Sequence, residues 1–236
     1  MNDKPMTLEE QSAYEYDKAP ESIGSYLQKA DIQEKTVVDF GCGWGGESLW
    51  LKHHGAAKVI GIDVDEESLA QARVFSKGEV EFTSNIASIE DESVDCIFST
   101  NVFEHVMNIP EILDHLHRIL KPNGTIVSSF GPLFYSPYGC HFYWAHLYPF
   151  SHLIFGRDWL VHRIDNIRGF ESNTNSWEDM GLNRITYDEF SREIQKRFDV
   201  KELNAIPVAG LPFVTKIPIL KQFLTFGCEM HVSKAA

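Results

Sequence analysis

Lysine and arginine are scarce in this chain and nowhere clustered: 21 of them face 34 aspartates and glutamates, for a net charge of −13. A phosphate backbone is held chiefly by a basic footprint, so no nucleic-acid partner is expected. Cysteine is scarce too. Cys42, Cys96, Cys140 and Cys228 are scattered without a CxxC pair, which supplies no zinc framework and suits a reducing cytosol. The first residues, MNDKPMTLEEQ, are polar and acidic and lack an apolar h-region. No secretory signal is read there, and the cytoplasm is the expected location.

The longest absence is of charge itself. Between Lys121 and Arg157 there is no Asp, Glu, Lys or Arg. Such a run invites a membrane span. Pro132, Pro137 and Pro149, several glycines, and His141, His146 and His152 interrupt it, and they would leave polar groups unsatisfied in lipid. No integral membrane segment is expected. What is present fits a globular chain: 236 residues with 43% hydrophobic composition, one large domain rather than two.

The apolar pattern alternates strand and helix. Ser12–Lys29 reads as one or two short helices with a restart at Pro20. Short apolar runs at Thr36–Phe40, Lys58–Asp63, Val80–Thr83, Val94–Thr100 and Thr125–Phe130 read as buried strands. Helical stretches follow at Gly46–His54, Asp65–Lys77 and Pro110–Leu120, and Pro122-Asn123-Gly124 reads as a turn into the fifth strand. This order predicts an α/β fold, a Rossmann-like doubly wound sheet with its ligand crevice at the carboxyl ends of the strands. Residues 36–130 form its core. The stretch 131–185 reads as an irregular, aromatic-rich insert. In 186–236, Thr186-x-x-Glu189 is a capping box for a helix over Tyr187–Phe198, and Val200–Val208 and Phe226–Ser233 complete a mostly parallel seven-stranded sheet.

The first strand ends in Asp39-Phe40-Gly41-Cys42-Gly43-Trp44-Gly45-Gly46. Glycines permit a tight turn and a close approach of backbone to ligand. Asp63, at the end of the second strand, is placed to accept from both hydroxyls of a ribose. Gly41-x-Gly43-x-x-Gly46 also satisfies the dinucleotide fingerprint, so an NAD-dependent oxidoreductase is an alternative, and a ligand-free glycine turn is another. Asp39 favours a cofactor with cationic groups over one that brings a pyrophosphate.

VVDFGCGWG resembles motif I of the class I S-adenosylmethionine-dependent methyltransferases. VIGIDVD is similar to their second motif, SVDCIFSTNVFEHV to their fourth-strand motif, and LKPNGTIV to their turn into strand five. The likeness is to the small-molecule, "methyltransferase type 11" kind. The resemblance covers Thr36 to Phe130 and implies S-adenosyl-L-methionine as cofactor and S-adenosyl-L-homocysteine as product. It implies that Asp39 suits the cationic groups, that Gly41, Cys42 and Gly43 line the methionine part, that Asp63 holds the ribose, and that Val64 packs on adenine. Asn85, followed by Ile86, stands where the family often has an acid for the adenine amino group; an asparagine carbonyl can accept that bond. Asn101 would contact the methionine moiety.

The family leaves the acceptor half variable. From Gly131 to Leu160 there are ten Phe, Tyr or Trp residues. An insert of that kind can form a lid and an apolar pocket, closed further by Leu211–Phe226. The bland alternatives are core, a homodimer face, or peripheral membrane contact. The expected acceptor is a small hydrophobic or aromatic molecule of specialised metabolism, O-methylated because a histidine base would serve that reaction. His141 is the first candidate base, Tyr138 an orienting group, and His105 the runner-up. His141, His146 and His152 are spaced by five and six residues, which fits no zinc pattern, and no metal is expected. A cyclase or lyase holding the same cofactor, and a non-catalytic binding module, are the remaining alternatives.

Overall fold

The computed structural model describes residues 6–169, 174–208 and 217–235. Helix α1 (Leu8–Ser22) leads into strand β1 (Thr36–Phe40), α2 (Gly46–His53), β2 (Lys58–Ile62), α3 (Glu66–Phe75) and β3 (Glu81–Thr83). Strand β4 (Val94–Thr100), α4 (Ile109–Ile119), β5 (Leu120–Phe130) and α5 (Ser151–Arg168) follow. The chain then forms α6 (Tyr187–Gln195), β6 (Asp199–Pro207), α7 (Pro218–Leu224) and β7 (Thr225–Ser233).

The seven strands form one sheet in the order β3-β2-β1-β4-β5-β7-β6. β1 pairs in parallel with β2 and β4, and only β7 runs antiparallel to its neighbours β5 and β6. The order reverses between β1 and β4. A parallel sheet opens a crevice at that switch point, because the crossovers on either side leave in opposite directions. The carboxyl ends of β1 and β4 lead to Gly41 and Asn101, so both sequence candidates flank this crevice.

Local signals explain most boundaries. Asp65 caps α3 by accepting from Glu67 N–H, and Asn108 caps α4 with Pro110 in its first turn. The Thr186–Glu189 capping box is present as read. Most ends shift by one to three residues, and three readings differ in kind. α1 starts at Leu8, set by a Thr7–Glu10 capping box, and passes through Pro20 to Ser22; a proline this close to the end displaces few intrahelical bonds. Pro122-Asn123-Gly124 lies inside β5 as a bulge, where the register jumps from Val94↔Leu120 to Cys96↔Thr125. The insert is not irregular throughout, because α5 crosses it with a bend at Gly156.

The core is divided by the sheet. Phe103 is fully buried and its ring meets Phe40, Phe130 and Phe190 at centroid distances of 5.7, 5.5 and 5.3 Å. Phe103→Ala is expected to cost about 3–5 kcal/mol, the usual range for an emptied aromatic site. Urea unfolding reads it, and a loss under about 1 kcal/mol would show that the site is not a packed core. The insert builds a small cluster of its own from Phe134, Cys140, Ala145, Leu160, Ile164 and Leu182. Of its aromatics, Tyr143, Trp144, Tyr148 and Phe155 are exposed. Among the described residues no helix is long and apolar enough to cross a membrane.

Candidate active site

The loop after β1 folds back on itself because its glycines turn left-handed: Gly41 at φ 81°, Gly43 at 48° and Gly45 at 79°. A Cβ at Gly41 would lie 2.1 Å from a methyl of Val102, so the turn also lets the loop after β4 approach. Every N–H of the loop is engaged. Gly41 and Cys42 donate to the Ile62 carbonyl, Gly43 donates to Asp63 Oδ2 at 2.9 Å, and Gly45 donates to the Cys42 carbonyl. Trp44 and Gly46 donate to the two oxygens of Glu15, at 3.2 and 3.1 Å.

That arrangement decides which ligand the loop suits. A pyrophosphate would need free N–H groups at the N-terminus of α2. The Glu15 carboxylate, brought in by α1, already fills that role. Around it stand further acids. Asp39 is buried, accepts from Ser48 Oγ at 2.6 Å, and is held well above the usual carboxylate range by burial first and then by Glu47. Burial pushes Glu15 up to about 7, against the two N–H bonds that lower it. Acids crowded in this way suit a cationic ligand and oppose an anionic one.

A cavity of about 680 Å³ opens beside the loop, within the usual range for small-ligand sites; its walls include Gly41, Asp63, Val64, Ile86, Asn101 and His105. Asp63 accepts from Gly43 and Asp65 N–H and keeps lone pairs for a ligand. Val64, on the cavity wall, is 90% exposed. The sequence candidates Asp39, Cys42, Gly43 and Asn85 stand behind or beside the lining. Asn85 caps the short turn Ile86–Ser88 by accepting from Ala87 N–H at 3.0 Å, and its neighbours Ser84 and Ile86 face the cavity instead.

At the far end, one donor atom each from Glu104, His105 and His141 lie within 4.8 Å of one another. Glu104 and His105 sit on a single turn of helix, Phe103–His105, just past β4. Asn183 clamps that turn by donating to the carbonyls of Phe103 and Val106. His105 Nδ1 bonds the Gly181 carbonyl at 2.6 Å. Glu104 is buried; Oε1 accepts from Gly131 N–H at 3.0 Å, while Oε2 has no partner. Burial raises its carboxyl to about 7.

His141 reaches this group from the insert, its ring 4.8 Å from that of His105. Its Nε2 is buried and without a partner, and with the proton on Nδ1 that atom would carry a lone pair. Burial, with His105 next, lowers His141 to about 4. Tyr138 is not brought here. Its ring lies against Tyr143 and His146. The three insert histidines also divide, since His146 and His152 gather around Cys140. Glu15 stands at the glycine loop and Glu104 beside His105 and His141. Sequence reading gave neither a role; only Glu104's place beside His105 pointed to it, and no local signal points to Glu15. The proposed closing segment Leu211–Phe226 lies in part outside the described residues; Phe223, within them, touches Tyr135.

Residues 38–128 match the family described as a methyltransferase domain. The mitochondrial ubiquinone biosynthesis O-methyltransferase of Dictyostelium discoideum is 31% identical over 114 residues, covering 42% of this chain and 36% of that one. The S-adenosylmethionine dependent methyltransferase of Mesorhizobium loti superposes with a TM-score of 0.54 at 18% identity, over 93% of this chain and 100% of that one. Geranyl diphosphate C-methyltransferase of Streptomyces coelicolor A3(2), solved with Mg2+, geranyl-S-thiolodiphosphate and S-adenosyl-L-homocysteine, gives 0.55 at 14% identity, over 89% and 74%. At such identities the two structures show a shared fold. The chain spans about half the length of the curated relatives it matches.

Proposed function

We propose, from the premise that this chain carries a class I S-adenosylmethionine-dependent methyltransferase domain, that it methylates a hydroxyl of a small apolar or aromatic acceptor. The observation that carries the reading is a pair of buried, unpartnered proton acceptors, Nε2 of His141 and Oε2 of Glu104, beside a cavity that His105 lines. S-adenosylmethionine supplies a methyl group on a cationic sulfur whose leaving thioether needs no proton. The chain's task is therefore to align a nucleophile and remove its proton. A buried acceptor atom without a partner is costly, and an incoming hydroxyl would satisfy it.

Asp63 holds the ribose and Asn101 the methionine end in this reading. The acid-lined loop takes the cationic groups, and the aromatic-rich insert that presents His141 favours an apolar acceptor. The O-methyltransferase named among the relatives supports oxygen as the methylated atom.

The pH dependence follows from Glu104. With its carboxyl near 7, the ionised, proton-accepting form grows as pH rises through that value, while His141 at about 4 stays neutral on both sides. Expected is a kcat/KM that rises with pH through about 7. Glu104→Gln should lower the plateau and remove the rise; a rise that survives in that variant would belong to the acceptor or another group.

A further inference from the structure

A second group of donors lies in the insert, apart from the cavity. Cys140 Sγ sits 2.7 Å from His146 Nε2, and one donor atom each from Cys140, His146 and His152 lie within 4.8 Å of one another. Cys140 and His152 are buried, and His146 is half-buried, which leaves a route from solvent. Among the described residues Cys42, Cys96 and Cys228 belong to no such group.

The proton positions are set from outside the group. His152 Nε2 donates to the Phe134 carbonyl at 2.8 Å, so its Nδ1 holds the lone pair, and that atom is buried without a partner. His146 turns Nε2 toward Cys140 Sγ, and its Nδ1 is also buried without a partner. An imidazole fixed by a backbone carbonyl on one nitrogen and left open on the other, as His152 is, is the usual arrangement of a metal-ligating histidine. The alternative, a plain thiol–imidazole contact, leaves His152 Nδ1 unexplained, and orphaned buried polar atoms are few in folded proteins.

We propose that Cys140, His146 and His152 bind a thiolate- and imidazole-preferring divalent ion such as Zn2+. One sulfur and two nitrogens match that class of ion and not Mg2+ or Ca2+, which prefer oxygen. The ion would tie the loop after β5, which contributes Cys140 and His146, to the first turn of α5, which contributes His152. His141 follows Cys140 directly and adopts a left-handed backbone at φ 65°. The role is a structural staple that holds the loop presenting His141. Binding replaces the Cys140 S–H bond by a sulfur–metal bond and releases one proton to solvent.

The test uses the full chain, stripped of metal by a chelator and titrated with Co2+ as a coloured probe. Expected is a thiolate-to-cobalt charge-transfer band in the near ultraviolet that saturates at one equivalent and is displaced by Zn2+. Cys140→Ser should abolish the band. His146→Ala and His152→Ala should each weaken cobalt binding by at least about tenfold, the lower end of what even outer partners cost. Zn2+ should also raise the Tm of the wild-type protein, since it binds the folded state alone. No band in the wild type, or a band unchanged in Cys140→Ser or in the two histidine variants, overturns the proposal. If Cys140→Ser does not fold, the wild-type titration and the histidine variants still decide.

Discussion

His141→Ala is expected to lower turnover by about 10²–10⁴-fold, the span usual for a lost general base, with cofactor affinity nearly unchanged. The side chain adds nothing to the cofactor cavity itself; His105, not His141, is in its lining. What His141 brings is a buried, unpartnered Nε2 beside His105 and Glu104. Its low basicity does not disqualify it. Glu104, within reach of the same group, would stabilise the imidazolium once ionised, so the two act as a unit and their losses should not add. A double variant with Glu104→Gln should therefore be little worse than His141→Ala alone. Exogenous imidazole should restore part of the rate if the group serves as a base. Unchanged turnover in His141→Ala would remove it from the mechanism. An equal loss of cofactor affinity would make its role structural.

Asp63→Ala is expected to weaken S-adenosylhomocysteine binding by about 10²–10⁴-fold. Hydrogen bonds to a charged group contribute about 1.5–3 kcal/mol each, and two ribose hydroxyls make about 3–6 kcal/mol, which converts to that range. The carboxylate also anchors the loop through Gly43 N–H, so part of the loss reflects a loosened turn. Asp63→Asn keeps one acceptor oxygen and should fall between wild type and alanine. Calorimetric titration reads both variants. Wild-type affinity in Asp63→Ala would place the ribose elsewhere.

The parts of the fold legible in the sequence are those with local causes. β1, β2 and β4 are short apolar runs closed by glycine or a polar residue, and the caps at Asp65, Asn108 and Thr186 sit next to the helices they start. The glycine loop was legible as a ligand loop, yet on its spacing alone two cofactors fitted. Asp39 tilts the choice in the sequence, and the fold adds Glu15, a carboxylate delivered to the N-terminus of α2 by a helix distant in sequence. No periodicity reports such a contact. His141 and Glu104 likewise meet only through the fold, because the insert returns over the end of β4. Tyr138, one turn away from His141, faces the opposite group. α5 was hidden by Gly156 and by aromatic residues that mask a helical face. The Cys140 group was invisible for a related reason, since its spacings follow the path of a loop and not a helix or hairpin.

Incubation of the protein with methyl-labelled S-adenosylmethionine and a panel of apolar phenols and alcohols, alongside amines and polar acids, tests the proposed function most directly. Expected is S-adenosylhomocysteine formed in step with label on an acceptor oxygen, and loss of both in His141→Ala and Glu104→Gln. Label on nitrogen or carbon that persists in both variants, or cofactor bound without any transfer, would contradict it.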